Sequence, residues 1–329
     1  MPEGPSRDQE ENHRVGGSAI PRPPHPRRRH QPLPSEEPKS SEEDPAAPER
    51  VRTLVRSPAY READQDVDFL AQDEVRGVRL ELDYLKAELL LEAQDIKHTI
   101  VVFGSTRIPE PKAAEREVSL LRQALEERGP DAELERRLRV AERLRAKSRY
   151  YEVARELGRL VGAAEKNREG GRLVVATGGG PGMMEAANRG AFEAGARTVG
   201  LNIRLPQEQF PNPYITPELC FQFHYFAIRK LHFLLRARAL IAFPGGYGTL
   251  DELFETLALV QTRTIRPVPV VLVGEEFWKN VWDVDFLVDE GMIDVEDREL
   301  FWFAESAHEI WDGILRWYEM SGRHLRSEA

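Results

Sequence analysis

The chain has 329 residues, of which 41% are hydrophobic and 31% charged, with a net charge of −10. That length accommodates one large α/β domain with appendages, and the acidic balance argues against an extended nucleic-acid surface. The single cysteine, Cys220, excludes an internal disulfide framework and a cysteine-based zinc site, in keeping with a reducing cytoplasm. With no run of about 20 apolar residues and no apolar segment near Met1, neither a membrane span nor a secretory leader is expected.

Residues 1–60 are rich in Pro, Arg, Glu and Ser, and this composition predicts a disordered tail. Over residues 61–97 the pattern turns helical, with Leu80, Leu82, Leu85, Leu89 and Leu90 near helical spacing among charges, and a helical extension is expected. Residues 98–320 read as the main domain. Its first buried strand, Thr99-Ile-Val-Val-Phe-Gly-Ser105, ends in a small-residue turn. A charged insertion near residues 110–150, dense in Glu and Arg with periodic Leu, predicts a solvated helix or helical hairpin. Strands are then expected at Leu173–Thr177, Thr198–Leu201, Cys220–Phe223, Ala239–Phe243 and Val268–Val273. Helices are expected over Met183–Ala194, Tyr225–Arg238 and Leu250–Gln261, and residues 275–318 read as helical and Trp-rich. Repeated strand-loop-helix units of this length predict an α/β fold: a Rossmann-like, mostly parallel sheet flanked by helices on both faces.

Two glycine-rich loops each follow a strand and open a helix. They are Gly178-Gly179-Gly180-Pro181-Gly182 and Pro244-Gly245-Gly246-Tyr247-Gly248. Glycine lets the backbone approach a ligand, and the first helical N–H groups with the helix dipole favour an anion. Such loops lie at the carboxyl ends of parallel strands, where ligands bind. Two common nucleotide fingerprints fail on residues. From Gly178 or Gly180 the third glycine of the dinucleotide motif is missing, and the next strand ends near Asn202 and Arg204 rather than an acid. Gly248 is followed by Thr249, so the Gly-Lys-Ser/Thr of a P-loop is absent.

The stretch Pro244-Gly245-Gly246-Tyr247-Gly248-Thr249-Leu250-Asp251-Glu252 resembles the P-G-G-x-G-T-x-x-E motif of the Lonely Guy (LOG) family, and Arg229-Lys230 resembles its upstream Arg-Lys pair. The first loop, through Met183-Met184-Glu185-Ala186, is similar to the nucleotide-binding loop of the family's larger bacterial branch. The resemblance covers roughly residues 99–261. It implies a phosphoribohydrolase that cleaves the N-glycosidic bond of a nucleoside 5′-monophosphate, AMP or an N6-modified AMP, to free base and ribose 5-phosphate. It also implies a homodimer or higher homo-oligomer, with a small nucleotide as the partner and no cofactor. Plant members carry Met-His where this chain has Phe226-Ala227, and a different sequence where it has Met-Glu-Ala. Both departures fall where the base is expected to be read.

Arg229 and Glu252 are the expected catalytic residues. Cleavage builds positive charge on the ribose, which a carboxylate stabilises and for which it can orient water. Gly179, Gly180, Gly182, Glu185, Lys230, Gly245, Gly246, Gly248 and Thr249 are the expected phosphate and nucleotide ligands. No metal is expected. Structural alternatives stand beside several of these. Thr249 and Glu252 also spell a capping box, Glu185 suits the dipole of a first helical turn, and His232 reads as a satisfied helix-face residue. Relatives are often labelled lysine decarboxylases, but that chemistry needs a Schiff-base lysine, and after Leu173 only Lys230 and Lys279 remain. The alternative from another class is a nucleotide or cofactor carrier without turnover.

Overall fold

The computed structural model describes residues 36–165, 171–206 and 210–326, together with 14, 15, 18, 19, 25–27, 29, 31 and 33. The chain divides into two units, Met1–Gln72 and Asp73–Ala329. In the first, a helix forms over Ala47–Val55 and a short one over Val67–Leu70. The first of these lies inside the stretch expected to be disordered, and much of that stretch falls outside the described residues. Pro48 just inside its start and Glu49 in its first turn suit a helix N-terminus.

The second unit is built on seven strands: β1 Ile96–Phe103, β2 Arg172–Thr177, β3 Thr198–Ile203, β4 Cys220–Phe223, β5 Ala237–Ala242, β6 Val270–Val273 and β7 Trp302–Ala304. They form one sheet in the order β4-β3-β2-β1-β5-β6-β7, and every neighbouring pair is parallel. The chain builds outward from β1 to β4, then returns to β1's other side for β5. The reversal places a topological switch point between β1 and β5, where a ligand crevice opens at the strands' carboxyl ends. Among the described residues, ten α-helices accompany the strands: α1 Arg76–Ala93, α2 Pro111–Arg128, α3 Ala132–Lys147, α4 Arg149–Glu165, α5 Met183–Glu193, α6 Phe226–Leu235, α7 Tyr247–Gln261, α8 Glu275–Val281, α9 Val284–Asp289 and α10 Ala307–Met320.

The apolar run in β1 is continuous because both faces of the sheet are covered. Ile100 and Val102 pack with Tyr151, Leu157, Met183 and Ile310 from α4, α5 and α10. Val101 and Phe103 pack with Leu91, Phe233, Leu253 and Trp278 from α1, α6, α7 and α8. The charged insertion is a helical hairpin, α2 and α3, whose Val118, Leu121, Leu134 and Ala141 form their own small cluster. Two expectations are corrected. Residues 275–318 contain the edge strand β7, which pairs Phe303 with Leu272; three aromatic-rich residues are too few to show a strand period. The expected extension over residues 61–97 splits, because α1 belongs to the second unit and Ile96–His98 to β1. Among the described residues no helix is long and apolar enough to cross a membrane.

Helices α4 and α5 pack at close range. A side chain on Gly190 would run into the Arg155 carbonyl of α4, a backbone atom that cannot step aside. Gly190→Ala is therefore expected to destabilise the fold by about 2 kcal/mol, the usual cost of overpacking. A urea or thermal melt checks this, with a Tm drop on the order of 4–8 °C.

Candidate active site

Three loops meet at the switch point. Residues 104–106 leave β1, 178–182 leave β2 and 243–246 leave β5, and backbone hydrogen bonds knit them together. Ser105 N donates to Pro244 O at 2.9 Å, and Met183 N donates to Ser105 O at 3.1 Å. Gly182 has φ 72° and sits so close to the Ser105 carbonyl that only glycine fits there. The first of these loops was legible only as a small-residue turn. Its role as the third wall depends on β1 lying between β2 and β5.

A cavity of about 600 Å³ opens here, lined by Thr106, Gly178, Asn202, Phe226, Arg229 and Gly248 among others. The Arg229 side chain is largely buried in its wall. Its Nε donates to the Leu201 carbonyl at 2.7 Å, its charge lies 5.0 Å from the centre of the Phe233 ring, and its Nη1 lies 3.9 Å from Glu252 Oε1. A side chain on Gly178 would collide with this guanidinium, so the first glycine loop makes room for the arginine as well as for a ligand. Arg229 is held because α1 grips α6 at both ends. The Asp83 carboxylate accepts from the amides of His224 and Tyr225 at 2.9 Å, and Glu88 pairs with Arg236 at 2.8 and 2.7 Å.

Glu252 is buried one turn along α7 from Gly248, on the same face. Burial pushes its carboxyl up to about 7, against the pull of Arg229 and Lys230. Burial likewise lowers the Arg229 guanidinium from its ordinary range, against the pull of Glu252 and Asp251. Both shifts say that desolvation outweighs the mutual attraction across 3.9 Å. The capping box is not formed. Helix α7 begins at Tyr247 with Gly246 as its N-cap, so Thr249 and Glu252 lie inside the helix and make no capping hydrogen bond. The amides of Tyr247 and Gly248 donate to no group among the described residues. This leaves an uncapped helix N-terminus facing the crevice, the arrangement that receives an anion.

A family model described as "Possible lysine decarboxylase" matches residues 184–314. Cytokinin riboside 5′-monophosphate phosphoribohydrolase LOG3 of Arabidopsis thaliana is 30% identical over 169 residues, covering 50% of this chain and 74% of LOG3. The chain belongs to the LOG family. Arabidopsis LOG5 is 32% identical over 144 residues, 42% of this chain and 61% of LOG5. A rice protein (Oryza sativa subsp. japonica) named "Probable cytokinin riboside 5′-monophosphate phosphoribohydrolase LOG4" is 31% identical over 141 residues, and the chain spans 60% of its length. The molybdenum-cofactor carrier protein of Chlamydomonas reinhardtii aligns over 68% of this chain and 99% of its own, at 20% identity and a TM-score of 0.39.

Within the LOG motif the expected ligands separate. Gly248 lines the cavity, Gly246 is the open N-cap, and Gly245 packs against the buried Thr249 side chain. Lys230, one residue past Arg229, does not line the cavity and pairs with Asp251 at 2.9 Å and Glu255 at 3.3 Å. Gly179 and Gly180 form the back of the first loop rather than the cavity wall. The Gly179 amide donates to Thr177 Oγ1 at 3.0 Å, and both carbonyls accept from Asn212 Nδ2. Glu185 accepts from the Tyr151 hydroxyl at 2.8 Å, and Gly182 is the N-cap of α5. His232 is buried, stacked on Tyr84, with Nε2 at 3.2 Å from the Tyr84 carbonyl.

The raised carboxyl has a consequence for stability. In the unfolded chain Glu252 ionises near 4.5, and in the fold only near 7. Its contribution to stability is therefore full below about 4.5 and is lost as pH rises through about 7. Glu252→Gln removes this slope without removing a cap. The Tm of the Gln variant relative to wild type is expected to climb by a few degrees between pH 4.5 and pH 8, and a flat difference across that range contradicts the assignment.

Proposed function

We propose that this LOG-family chain is a nucleoside 5′-monophosphate phosphoribohydrolase, releasing free base and ribose 5-phosphate from AMP or an N6-modified AMP. The observation that carries the reading is the buried Arg229–Glu252 pair beside the uncapped N-terminus of α7. The amides of Gly246, Tyr247 and Gly248 hold the 5′-phosphate, assisted by the helix dipole. With the phosphate there, the ribose lies over Arg229, and Glu252 faces it from one turn farther along the helix. Ionised Glu252 stabilises the positive charge that grows at the anomeric carbon as the glycosidic bond breaks, and orients the water that replaces the base. Arg229 counters the ligand's negative charge and keeps Glu252 from rising further.

Lysine decarboxylation, the activity in the family model's description, is not supported by the residues present. Lys230 is ion-paired with Asp251 and Glu255, and Lys279, on an exposed helix face, with Glu275; neither lines the cavity beside Arg229. No step is assigned to a pyridoxal group.

The expected outcome for Glu252→Gln is a fall in base release of about 10²-fold or more with AMP affinity retained, since one charge-stabilising group contributes near 3 kcal/mol to a barrier. Arg229→Ala is expected to lose both turnover and affinity. In the wild type, base release rises as pH passes through about 7, because the carboxylate is the active form. Chromatography of products together with calorimetric AMP binding checks all three. Wild-type turnover by Glu252→Gln refutes the catalytic role, and tight binding without turnover by the native chain favours a carrier.

We also propose that the chain pairs with itself through α1 and α6. Leu82, Leu85 and Leu89 on α1 and Leu231 and Leu235 on α6 are exposed, an apolar surface that single-chain proteins usually cover. Light scattering at micromolar concentration is expected to give at least a dimer, and Leu85→Glu with Leu89→Glu to shift it to monomer. A monomeric wild type refutes the pairing.

A further inference from the structure

Under the phosphoribohydrolase reading the phosphate sits at α7 and the ribose over Arg229, yet the cavity continues beyond them. Arg229 reaches across to the Leu201 carbonyl, and past it the wall is made by the ends of β3 and β4. The base must lie there. Met184, Ile203, Leu205, Pro211 and Phe226 supply apolar walls suited to a flat ring. Among the described residues, the polar side chains lining this end are Asn202 on β3, its register partner Gln222 on β4, and Cys220.

Only one of the three has a fixed sense. Asn202 Nδ2 donates to the Phe221 carbonyl at 3.1 Å and lies 3.5 Å from Cys220 Sγ. A carbonyl accepts and cannot donate, so the amide nitrogen must face it, and this sets the orientation of the whole carboxamide. The remaining atom, Oδ1, accepts no hydrogen bond among the described residues. It packs beside Gly179, where any side chain would collide with it, so the group has little freedom to turn. Gln222 is exposed and hydrogen-bonded to nothing among the described residues, so it can present either end of its amide. The Cys220 thiol, at most a weak donor, adds little.

We infer that Asn202 reads position 6 of a purine: its side-chain oxygen accepts a hydrogen from a 6-amino group and opposes a 6-oxo group. The inference rests on the phosphoribohydrolase reading and extends it to base choice. A secondary amine still carries one hydrogen, so a single substituent on the 6-amino nitrogen is tolerated and two are not. A 6-oxopurine instead sets its oxygen against Oδ1, leaving two acceptors facing each other.

The test measures base release by the full chain from AMP, IMP, N6-methyl-AMP and N6,N6-dimethyl-AMP. AMP and N6-methyl-AMP are expected to agree within a few-fold in kcat/KM. IMP and the dimethyl nucleotide are expected to fall by about 10²-fold, the scale of losing a hydrogen bond and leaving a buried acceptor unpaired. Asn202→Leu is expected to lower kcat/KM for AMP while leaving IMP nearly unchanged, collapsing the preference to a few-fold. The four wild-type substrates test the inference without reference to how well the variant folds. Equal use of AMP and IMP, or dimethyl equal to methyl, overturns the role of Asn202 and leaves the hydrolase reading intact. A preference that survives Asn202→Leu in a folded variant also overturns it. Absence of base release from every nucleotide overturns the hydrolase reading and this inference with it.

Discussion

The burial of one guanidinium organises the active end of this protein. Arg229 has left water for a wall made of the Leu201 carbonyl, the Phe233 ring and the bare backbone of Gly178. A charge in that position is tolerable only with fixed partners around it. Much of the surrounding structure supplies them. Helix α1 clamps both ends of α6, the helix that carries the arginine, and α7 brings Glu252 to within 3.9 Å. The opposite shifts of the two groups, the acid raised and the base lowered, both reflect burial outweighing the attraction between them. Two charged side chains kept together against the cost of burial, beside a helix N-terminus with no side-chain cap, mark this end of the sheet as the candidate site.

The parallel sheet is what allows so many groups to meet. Because the chain reverses direction at β1, the loops after β1, β2 and β5 become neighbours although they are separated by up to 142 positions in sequence. A buried polar network stiffens the first glycine loop from behind. Thr177 donates to Asn188 at 2.7 Å, Asn188 to Thr198, and Asn212 to the carbonyls of Gly179 and Gly180. With those carbonyls drawn backward, Gly178 is left as the loop's contribution to the cavity wall. Fully satisfied networks of this kind rigidify a site at the cost of strict geometry.

The two ends of the cavity differ in kind. At α7 the contacts are backbone amides and a helix dipole, which suit any phosphate and carry no information about the base. At the β3–β4 edge the contacts are side chains, and one of them has a fixed hydrogen-bonding sense. Under the proposed reading, turnover and selectivity therefore fall to different elements.

The fold and the family were largely legible in local sequence. The strand-loop-helix rhythm required a parallel sheet covered on both faces, and the motif from Pro244 to Glu252 with Arg229 upstream named the residues that the fold brings together. These signals are local, since a glycine loop before a helix, or a buried strand, is written in consecutive residues. What consecutive residues could not carry was direction and neighbourhood. Lys230, adjacent to Arg229, faces Asp251 and Glu255 instead of the cavity, because one step along a helix turns a side chain by about 100°. Thr249 and Glu252 spell a capping box, yet α7 starts two residues before Thr249, and the true cap is Gly246. β7 is three residues long and exists through its pairing with β6, so no period announces it. The orientation of Asn202 depends on a carbonyl 19 positions away, and the raised pKa of Glu252 on how much water the surrounding fold excludes. The sequence by itself determined which groups are available for chemistry; only the tertiary structure decided which way they point and how far they are from water, because both depend on atoms distant along the chain.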